Sequence, residues 1–73
     1  MKAYILLCFG VGQTRKGVNF CSGIPGVLEV KATWGLYDAV AKVDSPSTGQ
    51  IIVEMRKFEG LLSTFCLPIV DVD

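Results

Sequence analysis

Residues 2–10 are apolar at almost every position. Tyr4, Leu6 and Cys8 fall on one side of an extended chain, and Ile5, Leu7 and Phe9 on the other. A strand apolar on both faces belongs in the middle of a sheet. The run Ala3–Phe9 after Lys2 is too short to cross a membrane, and no Ala-x-Ala-like cleavage site follows it. It reads as a first strand. Residues 11–23 predict a weak first helix. Val11, Val18 and Cys21 lie near helical spacing, while Gly17 and Asn19 lower the propensity. Ile24-Pro25-Gly26 predicts a turn. Residues 27–34 alternate, with Leu28, Val30 and Ala32 inward and Glu29 and Lys31 outward. Gly35 predicts a positive-φ turn closing a hairpin. Ala39–Val43 then read as a third strand, with Asp38 and Lys42 on its solvent side.

A second helix starts near Asp44-Ser45-Pro46-Ser47. Ser45 can cap it with Pro46 at the first helical position, or Ser47 can cap it with Gln50 completing a capping box. Ile51, Met55 and Phe58 make its apolar stripe, with Ile52 alongside. Gly60 is expected to end it in a left-handed conformation. Leu61–Leu67 read as the fourth strand, interrupted at Pro68; residues 69–73 form a short edge strand or a tail. The predicted class is α+β, a ferredoxin-like βαββαβ arrangement. Two helices cover one face of a four-stranded antiparallel sheet. The other face, apolar in the first strand, is best covered by a second copy packed sheet to sheet, as in a dimeric α/β barrel.

Size strengthens that expectation. The chain has 73 residues, 51% of them hydrophobic and 19% charged. It reads as a single domain over 1–73, and a domain so small buries only about 60% of its unfolded surface. Apolar surface in that excess predicts a homo-oligomer. Charge excludes another class. Seven Lys and Arg balance seven Asp and Glu, so the basic field of a nucleic-acid binder is missing. Arg15-Lys16 and Arg56-Lys57 are isolated pairs on helix surfaces. Three cysteines, Cys8, Cys21 and Cys66, show no paired spacing and read as small buried thiols in a reduced, cytoplasmic setting. With no histidine and no Cys-x-x-Cys, no metal site or cofactor is expected.

Catalysis finds little footing. There is no histidine base and no evident acid pair. Gly10-Val11-Gly12 lacks the rest of a phosphate-loop fingerprint. Cys66 is the one thiol worth testing as a nucleophile. The chemically suggestive stretch is Gly35-Leu36-Tyr37-Asp38. An acid at a sheet corner beside an aromatic can catch an amine, or it can cap its own turn.

Four segments carry a family resemblance: Ile24-Pro25-Gly26-Val27 before the second strand, Gly35-Leu36-Tyr37-Asp38 at the hairpin, Phe58-Glu59-Gly60-Leu61 before the last strand, and Ser63-Thr64 within it. In order and spacing the chain resembles the ligand-binding RAM domain of the Lrp/AsnC (leucine-responsive/asparagine regulator) family. With no DNA-binding helices ahead of that domain, it resembles the family's stand-alone members. The resemblance implies dimers formed through the sheets, assembly of dimers into rings of eight or ten chains, and an effector, commonly an amino acid, bound between dimers. The family's Gly-x-Tyr-Asp falls on Gly35, Tyr37 and Asp38. Its Gly-Val-x-x-Thr-x-Thr falls on Gly60, Leu61, Thr64 and Cys66, a thiol standing where the pattern has a second hydroxyl. The implied ligand-binding residues are Trp34, Gly35, Tyr37, Asp38, Thr64 and Cys66. Asp38 would accept from an ammonium, and Thr64 with N–H groups near Gly35 would donate to a carboxylate. Trp34 and Tyr37 would wall the side-chain pocket or pack at a contact between copies.

Three functions are therefore in view. The first is an oligomeric small-molecule sensor acting in transcriptional or metabolic regulation without touching DNA. The second is an interaction module that co-assembles with full-length Lrp/AsnC regulators. The third is a small enzyme of the dimeric α+β-barrel type.

Overall fold

Ala3, Ile5, Leu7 and Phe9 are buried while Tyr4, Leu6 and Cys8 are not, so the first strand has one covered face and one open face. In the computed structural model, which describes residues 1–72, this strand is β1 (Lys2–Phe9). The chain continues through α1 (Thr14–Ser22), β2 (Val27–Ala32), β3 (Ala39–Asp44), α2 (Thr48–Met55) and β4 (Leu61–Pro68). The sheet order is β2-β3-β1-β4, with every neighbouring pair antiparallel. This is the ferredoxin-like βαββαβ fold, and β1 lies inside the sheet as its two-sided apolar pattern requires.

The core lies between the sheet and the helices. Ile5, Leu7, Val43, Cys21 and Met55 are its largest fully buried side chains. Side chains of this size contribute roughly 1.5–3 kcal/mol each on full burial. Small Ala39 and Ala41 on β3, also fully buried, let the helices sit close. Phe9 meets Phe58 edge-on at 5.9 Å, and Phe20 packs on Phe58 at 5.5 Å, closing one end of the core.

Several local details depart from the sequence pattern. α1 starts at Thr14, because Gly10–Gln13 form a turn in which Gly12 takes φ +75°. A bulge between Val27 and Glu29 shifts the β2 register, so Leu28 points outward, and Ala32 is exposed at the sheet edge. Val27 and Val30 make the inward contacts instead. Ser47, not Ser45, caps α2: its Oγ accepts from Gln50 N at 3.2 Å. Ser45 Oγ in turn accepts from Ser47 N at 3.1 Å, the bond that a capping box assigns to the Gln50 side chain. Gly60 is not left-handed. Its value is closeness: a Cβ there would meet Phe58 Cε2 at 2.7 Å, and its carbonyl accepts from Gly10 N at 2.8 Å. Pro68 ends β4 without breaking it, since β4 is an edge strand and a missing N–H facing outward costs nothing. Beyond it residues 69–72 form no strand.

Gly17 is a core residue, not merely a weak helix former. A Cβ there would sit 2.3 Å from Phe9 Cε1. Gly17→Ala should therefore destabilise the fold by about 1–3 kcal/mol through overpacking, against its helix-propensity gain of about 1 kcal/mol. Gly49→Ala, whose Cβ meets nothing nearer than Ser47 Oγ at 3.8 Å, should stabilise it. Urea unfolding at matched protein concentration compares the two, and equal effects would refute the close-approach account.

Candidate functional site

The β2–β3 hairpin is built around Gly35, whose φ of +115° an L-residue rarely adopts. Thr33 closes the loop twice: its N–H donates to Asp38 O at 2.9 Å and its Oγ1 to Tyr37 O at 2.7 Å. Asp38 then ties the loop to the end of β1. Its N–H donates to Leu7 O at 2.8 Å, and its Oδ2 accepts from Phe9 N at 2.7 Å. The carboxylate thus serves the neighbouring strand rather than its own turn, and carries the β1–β3 ladder past the last backbone pair, Leu7 with Ala39. Cys8 Sγ adds a weak bond to Leu36 O at 3.6 Å. Among the described residues only Oδ2 of this carboxylate is bonded, leaving Oδ1 to accept from something else. Tyr37 and Asp38 are half-buried, whereas Trp34 and Leu36 project from the hairpin at 102% and 91% exposure.

The two last-strand residues lie apart from the hairpin. Thr64 and Cys66 share a face, and it is the helix-covered one: they sit opposite Leu7 and Ile5 of β1. Thr64 is two strands from Asp38 across Leu7, roughly 10 Å at ordinary strand spacing. Its Oγ1 already accepts from Arg56 Nη2 at 3.2 Å. Cys66 lies two residues further along, away from the hairpin, and packs against the core. Within one protomer the structure gathers Trp34, Gly35, Tyr37 and Asp38, and leaves Thr64 and Cys66 behind the sheet.

Two further surfaces escaped the sequence reading in whole or part. On the open sheet face Tyr4 lies opposite Leu67, and Leu6 between Phe65 and Val40. Tyr4, Phe65 and Leu67 are exposed. Charge borders this patch, with Glu29 facing Lys42 on the β2 side and Lys2 facing Asp44 at the start of β1. The second surface is a groove of about 480 Å³ between the end of α1 and the start of α2. Phe20, Ile24, Pro25 and Ile51 form its apolar wall, Gly23 its floor near α1, and Ser45, Gln50 and Glu54 its polar rim. Glu54 is also paired with Lys57 at 2.7 Å. No periodicity announces such a groove, because its walls come from two stretches distant in the chain, residues 20–25 and 45–54.

Other chemistry is sparse. Cys8, Cys21 and Cys66 are free, and burial pushes the Cys21 thiol up, keeping it neutral and unreactive. Among the described residues no cluster of three potential metal ligands occurs, and no helix is long and apolar enough to cross a membrane.

No protein-family model matches the chain, and no curated protein matches it. Solved structures do. The hypothetical protein PHS023 from Pyrococcus horikoshii is 27% identical, with 96% of this chain and 90% of that one covered at a TM-score of 0.83. FFRP-DM1 is 26% identical, with 94% and 97% covered at 0.86. AsnC of E. coli has the same fold over 99% of this chain but only 55% of its own, at 18% identity and a TM-score of 0.79. What the chain shares with them is a fold, that of an Lrp/AsnC-type RAM domain.

Asp38 has a structural duty that can be separated from any ligand duty. Asp38→Ala removes the acceptor for Phe9 N–H and should cost about 1.5–3 kcal/mol, the range for a bond to a charged group. Asp38→Asn keeps an acceptor of similar shape and should lose less than half as much. Chemical denaturation measures both, and equal losses would contradict the role assigned to Oδ2.

Proposed function

We propose that this RAM domain is a regulatory sensor whose copies pair through their open sheet faces and bind a small zwitterion, such as an amino acid, where paired copies meet. The observation that carries the reading is Asp38: a half-buried carboxylate fixed by one oxygen to β1, with the other open beside Tyr37 and Gly35. A fixed anion is a preorganised acceptor for an ammonium group. The exposed Tyr4, Phe65 and Leu67 support the pairing, since apolar surface of this kind marks an interaction face.

Tyr37 would wall the ligand side chain once a second pair of copies covers the hairpin, and Trp34 would pack at that contact between copies. Thr64, on the covered face, would take part through a neighbouring copy or not at all, and Cys66 likewise. Rings of eight or ten chains are the assembly proposed. The balanced charge of seven Lys and Arg against seven Asp and Glu supports action without direct DNA contact. The lack of any histidine supports a binding rather than a catalytic role. A cytoplasmic setting accords with three free thiols. The second reading, co-assembly with full-length Lrp/AsnC regulators, rests on the same uncovered sheet face and differs in needing no ligand.

Thermal unfolding with a panel of amino acids tests the sensor. A ligand at ten times its Kd should stabilise by about 1.4 kcal/mol, on the order of 5–10 °C for a domain of this size. Asp38→Asn should abolish the shift while the protein remains folded. No shift with any amino acid at millimolar concentration would remove the effector claim and leave co-assembly.

A further inference from the structure

The hairpin tip and the interhelical groove have complementary shapes and lie at opposite ends of β2. Trp34 follows the last residues of β2, and Ile24 and Pro25 precede its first. At one end two large apolar side chains, Trp34 and Leu36, are almost wholly in water on a loop held by the Thr33 and Asp38 bonds. At the other lies an apolar recess of about 480 Å³, ample for an indole. Trp34 is further from the groove of its own chain than a side chain can reach, because six residues of extended β2 separate the two ends. A knob and a hole at opposite ends of one molecule make a head-to-tail contact, which closes into a ring or runs on as a filament.

We propose that Trp34 of one copy docks into the groove of the next, between Phe20, Ile24, Pro25 and Ile51, and that this contact links sheet-paired dimers. The inference rests on the oligomer reading above and adds the residues that join its dimers. Chemistry supports the match. An indole presents an apolar body and a single N–H donor, and the Glu54 carboxylate stands on the rim as an acceptor. Area places the contact in a hierarchy. A tryptophan buries at most about 250 Å², far below the roughly 1,200–2,000 Å² of a stable pairwise interface. The contact therefore holds only when each dimer is engaged at two points at once, through effective concentration. This explains why the tip can stay rigid and greasy without capturing a lone protomer.

The chain has one tryptophan, so its fluorescence reports the contact directly. Two variants isolate the halves. Trp34→Ala removes the knob. Gly23→Leu fills the hole, and a Cβ at Gly23 meets nothing closer than Phe20 O at 3.6 Å, so the backbone tolerates it. Light scattering of the wild type should show an assembly larger than a dimer, with blue-shifted tryptophan emission. Each variant should fall to dimers, with Gly23→Leu showing water-like emission. Mixing the two dimers should restore the large assembly and the blue shift, because one supplies knobs and the other grooves. A wild type that stops at dimers, a Trp34→Ala variant that keeps the full mass, or a mixture that stays dimeric would each overturn the docking while leaving sheet pairing intact. A monomeric wild type would overturn both. If Gly23→Leu breaks the assembly but Trp34→Ala does not, the groove holds some other segment and the proposal fails.

Discussion

Two helices of nine and eight residues can cover only one face of a four-stranded sheet. Everything distinctive about this molecule follows from that shortfall. The covered face takes Ala3, Ile5, Leu7 and Phe9 of β1, and among the described residues the core holds no buried polar side chain. The other face keeps Tyr4, Leu6, Phe65 and Leu67, and none of the six elements described lies over them. Burial of apolar surface is the main term favouring the folded state of a small domain. An uncovered apolar patch therefore makes association between copies part of the folding thermodynamics rather than an addition to it.

The hairpin illustrates how one residue can serve the fold and a site together. Asp38 spends one oxygen on Phe9 N–H, holding the loop against β1, and has a second oxygen to offer. Fixing the carboxylate through the first bond removes the rotamer entropy that a ligand contact would otherwise cost. Its neighbours divide the work differently. Gly35 supplies a backbone conformation, Thr33 closes the loop, and the Trp34 and Leu36 side chains stand almost wholly in water. Large apolar groups held rigidly in water are costly in an isolated protomer and intelligible only with a partner surface.

Legibility varied with the range of the interaction. β1 and its two faces and the positive φ at Gly35 rest on contacts a few residues apart, and the sequence alone is enough to find them; the cap of α2 was narrowed to Ser45 or Ser47, and the structure chose Ser47. Leu28 was misplaced because a bulge inserts one residue into β2, and alternation cannot count an insertion whose cause is the register of the partner strand. Gly17 and Gly60 look like helix breakers or stops, yet each is needed where a side chain distant in sequence comes close: Phe9 beside the first, and Gln13 (with the nearby Phe58 ring) beside the second. Thr64 and Cys66 were placed on a common face correctly, but nothing local says that this face is turned toward the helices and Arg56.

The sequence by itself determined the element order, the central strand, the rigid turn and the excess of apolar surface, because each depends on side-chain period or on backbone sterics within a few residues. Only the tertiary structure decided which sheet face stays open, which oxygen of Asp38 is committed, and that an apolar groove lies at the far end of β2 from Trp34. Those features arise where segments distant in the chain pack together, and their geometry exists only after the helices have settled on the sheet.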